Sequence, residues 1–227
     1  MAPLQSGRRL WTAVDDYFSK LLAPPDKYLD AAIKANRKAG LPAIDVSRLQ
    51  GQHLNLLVRM TQPKRVLEIG TLGGYSTICM GRALPMGGRI VTLEFSPRHA
   101  EVARRNLKAA GVLERVEIRV GPALQTLPIL EGEGAGPFDF IFIDADKVSN
   151  AEYVKWALRL SRVGTTIVVD NVVRDGKVID AKSKDPDIIG TRRMAEYIAK
   201  EPRLSATVMQ NVGSKGYDGF LIAVVLS

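Results

Sequence analysis

Apolar positions along the chain follow two rhythms, and the change between them falls near residue 61. Before it the spacing is helical: Val14, Phe18, Leu21 and Leu22 recur at three- and four-residue steps until Pro24-Pro25 interrupts them. A second helix is predicted from Asp26 to Lys38, closed by Gly40 and Pro42. A third runs from Ser47, in N-cap position, to Met60, with Leu49, His53, Leu56, Leu57 and Met60 as its expected buried stripe. No strand is evident in this part, so residues 1–60 read as a helical cap laid on the rest of the chain.

Beyond residue 61 short apolar runs alternate with helical stretches. Strands are expected at 65–69, 89–94, 116–120, 138–143, 165–170, 204–210 and 220–226. Helices are expected at 75–83, 97–110, 123–130, 151–160 and 188–200, the second opened by Ser96-Pro97 as N-cap and first helical residue. This alternation implies an α/β fold with a doubly wound, mostly parallel sheet. The run Phe138 to Ile143 is apolar on both faces, as a central strand of such a sheet must be. Neither a repeat nor a linker interrupts the pattern, so one domain is expected over 1–227, with its cap at 1–60 and its core at 61–227. The charged stretch Val172 to Asp187 is the longest predicted loop and is expected to act as a flexible lid.

Composition narrows the class. With 46% hydrophobic residues in 227, the chain can bury one sizeable core. No apolar run approaches the roughly 20 residues that cross a bilayer, and the two arginines between Met1 and Leu10 precede no apolar stretch, so neither a membrane span nor a secretory leader is expected. Cys79 is the sole cysteine, which excludes an internal disulfide and suits a reducing compartment; a cytoplasmic location is expected. The net charge of +8 invites a nucleic-acid reading, but the basic residues run from Arg8 to Lys215 with acids interleaved and no aromatic–basic repeat. A solvated surface, or attraction of an anionic small substrate, fits that distribution better, and no nucleic-acid partner is expected.

The candidate chemistry lies at strand ends, where open α/β sheets bind ligands. The strand Arg65–Ile69 passes through Gly70, Gly73 and Gly74 into a helix, so free N–H groups face the turn. The spacing is not Gly-x-Gly-x-x-Gly, which weakens a dinucleotide reading. Glu68, just before the turn, suits a cationic ligand better than a diphosphate, and Glu94 ends the second strand, where an acid accepts hydrogen bonds from ribose hydroxyls. A ribose with a cationic centre describes S-adenosylmethionine. Two further strands end in Asp144-Ala-Asp146-Lys147 and Asp170-Asn171. Neighbouring strands lie about 4.8 Å apart, so Asp144 and Asp170 can face one small volume. With the Asn171 amide they make an all-oxygen set that suits a divalent cation, Mg2+ first and Mn2+ or Ca2+ after it, and not zinc. The same acids could instead cap helices or pair with Lys147 and Arg174.

Taken together, Val-Leu-Glu68-Ile-Gly70-x-x-x-Gly74-Tyr-Ser76, Glu94, Gly121-x-Ala123, Ile-Asp144-Ala-Asp146-Lys147 and Val-Asp170-Asn171 resemble the cation-dependent O-methyltransferases, among them catechol and caffeoyl-coenzyme A O-methyltransferases. The resemblance runs from about Val46 to the end of the chain, with the motifs in consistent order. It implies a seven-stranded, Rossmann-like class I methyltransferase sheet. It also implies that Val46, Glu68, Gly70, Thr71, Ser76, Glu94 and Ala123 contact the cofactor, and that Asp144 serves both the cofactor's amino group and the metal. Asp170 and Asn171 complete the metal set. Asp146 matches an acid of the coenzyme A ester branch that sits beside the cofactor, which favours that branch over the catechol one. His53 and His99 match no family position.

The expected activity is methyl transfer from S-adenosylmethionine to a hydroxyl of a small phenolic acceptor with two adjacent oxygens. A dication there lowers the hydroxyl's pKa, and Lys147, three residues past Asp144, is placed to take the proton, unless it serves only as a counter-ion. A homodimer is implied by the coenzyme A ester branch alone. Three alternatives are weaker. A nicotinamide-dependent oxidoreductase lacks its glycine spacing and a Tyr-x-x-x-Lys pair. A nucleic-acid or protein-nitrogen methyltransferase often carries Asn-Pro-Pro-Tyr where Asp144 to Lys147 stand here. A non-catalytic binding module would not need Lys147 and both acids.

Overall fold

A computed structural model describes the backbone of residues 3–227 and the side chains from Gly7 onward; part of the Met1–Leu10 stretch, where a leader was not expected, lies outside the described residues. Seven strands, β1 (Arg65–Ile69), β2 (Arg89–Glu94), β3 (Val116–Val120), β4 (Phe138–Ile143), β5 (Ser161–Asp170), β6 (Leu204–Gly213) and β7 (Gly216–Val225), form one sheet in the order β3-β2-β1-β4-β5-β7-β6. Among the described residues eight α-helices accompany them: α1 (Pro3–Leu22), α2 (Lys27–Lys38), α3 (Arg48–Thr61), α4 (Tyr75–Gly81), α5 (Pro97–Ala109), α6 (Ala123–Gly132), α7 (Asn150–Arg159) and α8 (Pro186–Lys200). The chain divides into two compact units, residues 18–140 and residues 1–17 with 141–227.

In the first unit β2 pairs in parallel with both β1 and β3. Crossover helices force that arrangement, since parallel neighbours need a long return path. The core is built from Val66, Leu67 and Ile69 of β1, Ile90 and Leu93 of β2, and Ile78, Leu107, Leu127 and Leu130 of the helices. Three of its helices, α2, α3 and α5, begin where the sequence provides acceptors for free N–H groups. Asp26 accepts from Tyr28 and Leu29, Ser47 and Gln50 form a reciprocal capping box, and Ser96 accepts from His99 with Pro97 at the first position. The stripe expected on α3 is displaced. Gly51, Leu54, Leu57 and Val58 are buried, whereas Leu56 and Met60 are exposed. Close packing on α4 explains the rotation, because a Cβ at Gly51 would stand 2.8 Å from Cys79 Sγ and 3.0 Å from the Tyr75 ring.

In the second unit β7 pairs antiparallel with β5 on one side and with β6 on the other. The hairpin is longer than expected from sequence: β6 and β7 continue past Gln210 and before Phe220 to a tight turn at Ser214-Lys215. Asp15 of α1 accepts a hydrogen bond from the Ser214 N–H in that turn, at 2.7 Å. The Val172–Asp187 loop expected as a lid contains a 3-10 turn, Lys177–Ile179, and is tied to its surroundings. Arg174 pairs with Asp187 at 2.9 Å, and Arg192 of α8 donates to the Val178 carbonyl at 2.8 Å.

The apolar stripe of α1 forms, but Val14, Phe18, Leu21 and Leu22 are exposed, together with Leu10 and Tyr17 on the same helix. Among the described residues no helix is long and apolar enough to cross a membrane.

Candidate functional site

The glycine turn of the first unit is built on left-handed backbone. Gly70 has φ +102°, Leu72 +49° and Gly74 +84°, so the chain reverses sharply from β1 into α4. Gly70 N–H donates to the Leu93 carbonyl of β2, which keeps the turn at the strand ends. Gly73 has no room for a side chain: a Cβ there would lie 2.0 Å from the Asn36 amide. Asn36 of α2 is buried, donates to Asp45 at 2.8 Å and accepts from Asn106 of α5, whose amide also donates to the Gly73 carbonyl at 2.8 Å. The segment leading to Val46 is thereby wired to the turn.

Two acids organise this turn from beneath. Glu68 is 0% exposed, and its carboxylate accepts from Ser76 at 2.6 Å, Thr77 at 2.5 Å and Thr92 at 2.6 Å. Thr92 in turn shares a 2.6 Å hydrogen bond with Thr71. A carboxylate so enclosed fixes Ser76, and through Thr92 also Thr71, around the place a ligand would take. Glu94, also buried, accepts from the N–H groups of Thr71 and Leu72 on one oxygen and of Ser96 on the other. His99 Nδ1 lies 3.2 Å from that second oxygen. His99 therefore belongs to this site, which its sequence alone did not reveal; the signal lay in its place in the first turn of the helix that follows Glu94. Val46 is buried beside the Ser47 cap, and Ala123 is half-buried as the first residue of α6, after Gly121 at φ +144°.

In the second unit β4 delivers Asp144, and Lys147 folds back to it, with Nζ 2.9 Å from Asp144 Oδ1. The lysine side chain is 7% exposed, that of Asp144 23%. Asp170, at the end of β5, is buried, and its pKa is pushed up to about 7. Burial is the first cause and the charge of Asp144 the second; the Asn171 N–H and the Lys147 ammonium oppose them. Asn171 donates its N–H to Asp170 Oδ1 at 2.7 Å and has φ +57°, a conformation asparagine tolerates better than most side chains. The structure thus joins Lys147 to Asp144 and places Asp170 near enough for the charges of both to act on it, with the Asn171 N–H on its carboxylate.

Asp146 is placed differently from its neighbours. One of its oxygens accepts from Ser149 N–H at 3.0 Å and the other from the Tyr153 hydroxyl at 2.5 Å. Burial raises its pKa, but these hydrogen bonds outweigh burial and hold the carboxyl below the usual range, while Tyr153 is pushed up by burial and by Asp146. Asp146 thus fixes the start of α7.

Whether this cluster suits a dication can be judged from its donors. No group of three or more His, Cys, Asp or Glu stands ready for a metal among the described residues. The set is instead two carboxylates and an amide oxygen. A carboxylate whose pKa is raised by burial first and by its acidic neighbour second lacks positive charge, and Lys147 supplies only part of it. The donors fit a hard dication.

A family model described as O-methyltransferase matches residues 22–221. The chain is 52% identical over 217 residues to a catechol O-methyltransferase of Niastella koreensis, covering 96% of this chain and 98% of that one. It is 37% identical over 131 residues, 57% of this chain and 53% of that one, to a caffeoyl-CoA O-methyltransferase of Eucalyptus globulus. The named likeness is longer and stronger on the catechol side, the reverse of the preference drawn from Asp146. Among solved structures, an O-methyltransferase of Bacillus cereus in complex with SAH superposes with a TM-score of 0.95 at 56% identity, over 96% of this chain and 99% of that one. An O-methyltransferase of Streptomyces achromogenes involved in tomaymycin synthesis, in complex with SAM, gives 0.94 at 48% identity, over 97% and 99%.

Proposed function

The chain belongs to the O-methyltransferase family, and on that premise we propose that it transfers a methyl group from S-adenosylmethionine to a hydroxyl of a small catechol-type acceptor in a divalent-cation-dependent reaction. The observation that carries the metal part is the buried Asp170, its pKa raised to about 7 beside Asp144, with the Lys147 ammonium 2.9 Å from the latter.

Val46, Gly70, Thr71, Ser76, Glu94 and Ala123 are assigned to the cofactor. Glu94 presents a carboxylate edge to ribose hydroxyls while its N–H partners hold the turn, and Glu68 acts through Ser76 and Thr71. Asp144, Asp170 and Asn171 would hold the cation, Mg2+ first. Bound there, a hard dication would favour the ionised form of a neighbouring acceptor hydroxyl. Lys147, buried against Asp144, is assigned to receive the acceptor's proton at Nζ, for which its ammonium must first release a proton to solvent and act as the free amine. Bringing the acceptor oxygen in line with the sulfonium methyl is expected to supply much of the rate, because orientation replaces a bimolecular encounter.

The partners assigned are a small phenolic acceptor and a second copy of the chain. The exposed apolar side chains Leu10, Val14, Leu21 and Leu22 of α1 support the second, since monomers rarely leave such a row in water.

The test is incubation with labelled S-adenosylmethionine and a panel of catechols and hydroxycinnamoyl esters, with and without chelator. Metal-dependent transfer to a catechol is expected. Transfer that survives exhaustive chelation would sink the metal assignment, and transfer to RNA alone would sink the small-molecule one.

A further inference from the structure

Four consecutive backbone N–H groups come after the Asp170-Asn171 corner, and all of them find acceptors within three residues of β7. Val172 N–H donates to the Gly219 carbonyl at 3.0 Å. Val173 and Arg174 both donate to Asp218 Oδ1, each at 3.0 Å. Asp175 donates to the Tyr217 carbonyl at 3.1 Å. The same Asp218 oxygen also accepts from Gly219 N–H at 2.9 Å, so a single carboxylate oxygen gathers three donors.

The segment held in this way is contorted. Asn171, Arg174 and Asp175 have φ of +57°, +57° and +55°, and non-glycine residues stay in that region only where their surroundings over-determine it. Packing adds to the restraint, since a Cβ at Gly219 would stand 2.6 Å from Val173 Cγ2 and 2.5 Å from the Met209 carbonyl. Asp218 is also near enough for its charge to help push the Asp170 pKa up, after burial and Asp144. In the hairpin Asp218 stands opposite Asn211, yet its carboxylate turns to the exit of β5.

We propose that Asp218 is a positioning residue for the divalent-cation site: by gathering the N–H groups of Val173 and Arg174 it fixes the backbone of Asn171, and with it the Asp170-Asn171 ligand pair. The inference rests on the reading that Asp144, Asp170 and Asn171 hold the cation. A residue one shell out can matter as much as a ligand, because it decides whether the ligand is already in place when the ion arrives.

The experiment is Mn2+ binding to the full-length, metal-free protein, followed by calorimetry and by the ion's magnetic resonance signal, for the wild type, Asp218→Ala, Asp218→Asn and Asp218→Glu. Circular dichroism and S-adenosylmethionine binding establish that each variant is folded. Asp218→Ala is expected to weaken Mn2+ binding about 10- to 100-fold, with cofactor affinity unchanged and faster exchange of the Val173 and Arg174 amide protons. Asp218→Asn keeps an acceptor oxygen in place and should bind close to wild type. Should Asp218→Ala not fold, Asp218→Glu carries the test: its carboxylate keeps the charge but is displaced by a methylene, and weakened binding is expected. Wild-type affinity in Asp218→Ala or Asp218→Glu would overturn the proposal. So would loss in Asp218→Asn equal to that in Asp218→Ala, since charge and not hydrogen bonding would then be at work. A wild type that binds no Mn2+ would refute the cation reading itself, and this inference with it.

Discussion

Asp170→Asn isolates the charge at the centre of the acid cluster, because the amide keeps the shape and retains an oxygen for the Asn171 N–H, now 2.7 Å from Asp170 Oδ1. In the folded chain the Asp170 carboxyl titrates near 7 instead of 3.8, through burial first and the charge of Asp144 second. A folded-state pKa above the unfolded one means that the native protein holds the proton more tightly. Its contribution is fully present below the unfolded value and is lost as pH rises through about 7. Ionising such a carboxyl in the folded state costs on the order of 4 kcal/mol, of which about 2–3 kcal/mol falls between pH 5 and pH 8. The metal-free wild type should therefore lose that much stability relative to Asp170→Asn over this interval. At about 2–4 °C per kcal/mol for a chain of this length, the gap in melting temperature should widen by about 5–10 °C. Calorimetric melts at both pH values, in chelator and then in excess Mg2+, read the effect directly. Mg2+ should raise the wild type at pH 8 and leave the variant unmoved. Parallel melting temperatures for the two proteins across this range would refute the account of Asp170.

Other consequences can be tested in the same protein. Lys147→Met should lower kcat by about 10^2- to 10^4-fold while the dissociation constant for S-adenosylmethionine, measured by calorimetry, stays near wild type; an unchanged kcat would leave Lys147 a counter-ion to Asp144. Gly73→Ala forces a Cβ to within 2.0 Å of the Asn36 amide, so it should destabilise the fold by about 1–3 kcal/mol and weaken cofactor binding more than acceptor binding. Titration that returned wild-type cofactor affinity would remove the Asn36–Asn106 link from the site. Placing a charge on the α1 face, as in Leu21→Glu, should turn a dimer into a monomer in sedimentation without loss of secondary structure, and a wild-type protein that sediments as a monomer would refute the second-copy assignment.

What could be read in the sequence depended on how local the governing physics was. β1, β2 and β4 end where their mainly buried runs end, because burial and a following glycine or charge mark those limits within a few residues, whereas β3 at the sheet edge shows only an alternation of apolar and charged residues. The Asp144–Lys147 and Asp170-Asn171 pairs were legible for the same reason, since a charge at the mouth of a buried strand needs an explanation wherever it occurs. The face of α3 was not legible. Two stripes were available on that helix, and the choice fell to Gly51, whose missing side chain lets Cys79 and Tyr75 approach. Asp146 has a structural duty that its place in the motif does not announce: its two oxygens accept from the Ser149 N–H and from the Tyr153 hydroxyl at the start of the next helix. His99 and Asp218 mark a stricter limit. Each acts on a residue far away in sequence or across an element boundary, His99 on Glu94 and Asp218 on the N–H groups of Val173 and Arg174, and neither lies in a strand-end motif. Residues that bind a ligand leave a trace in the sequence because their chemistry is unusual for their place. Residues that hold those ligands in position look like ordinary surface polar groups until the fold brings them into contact, and at this acid cluster they are the side chains most in need of mutagenesis.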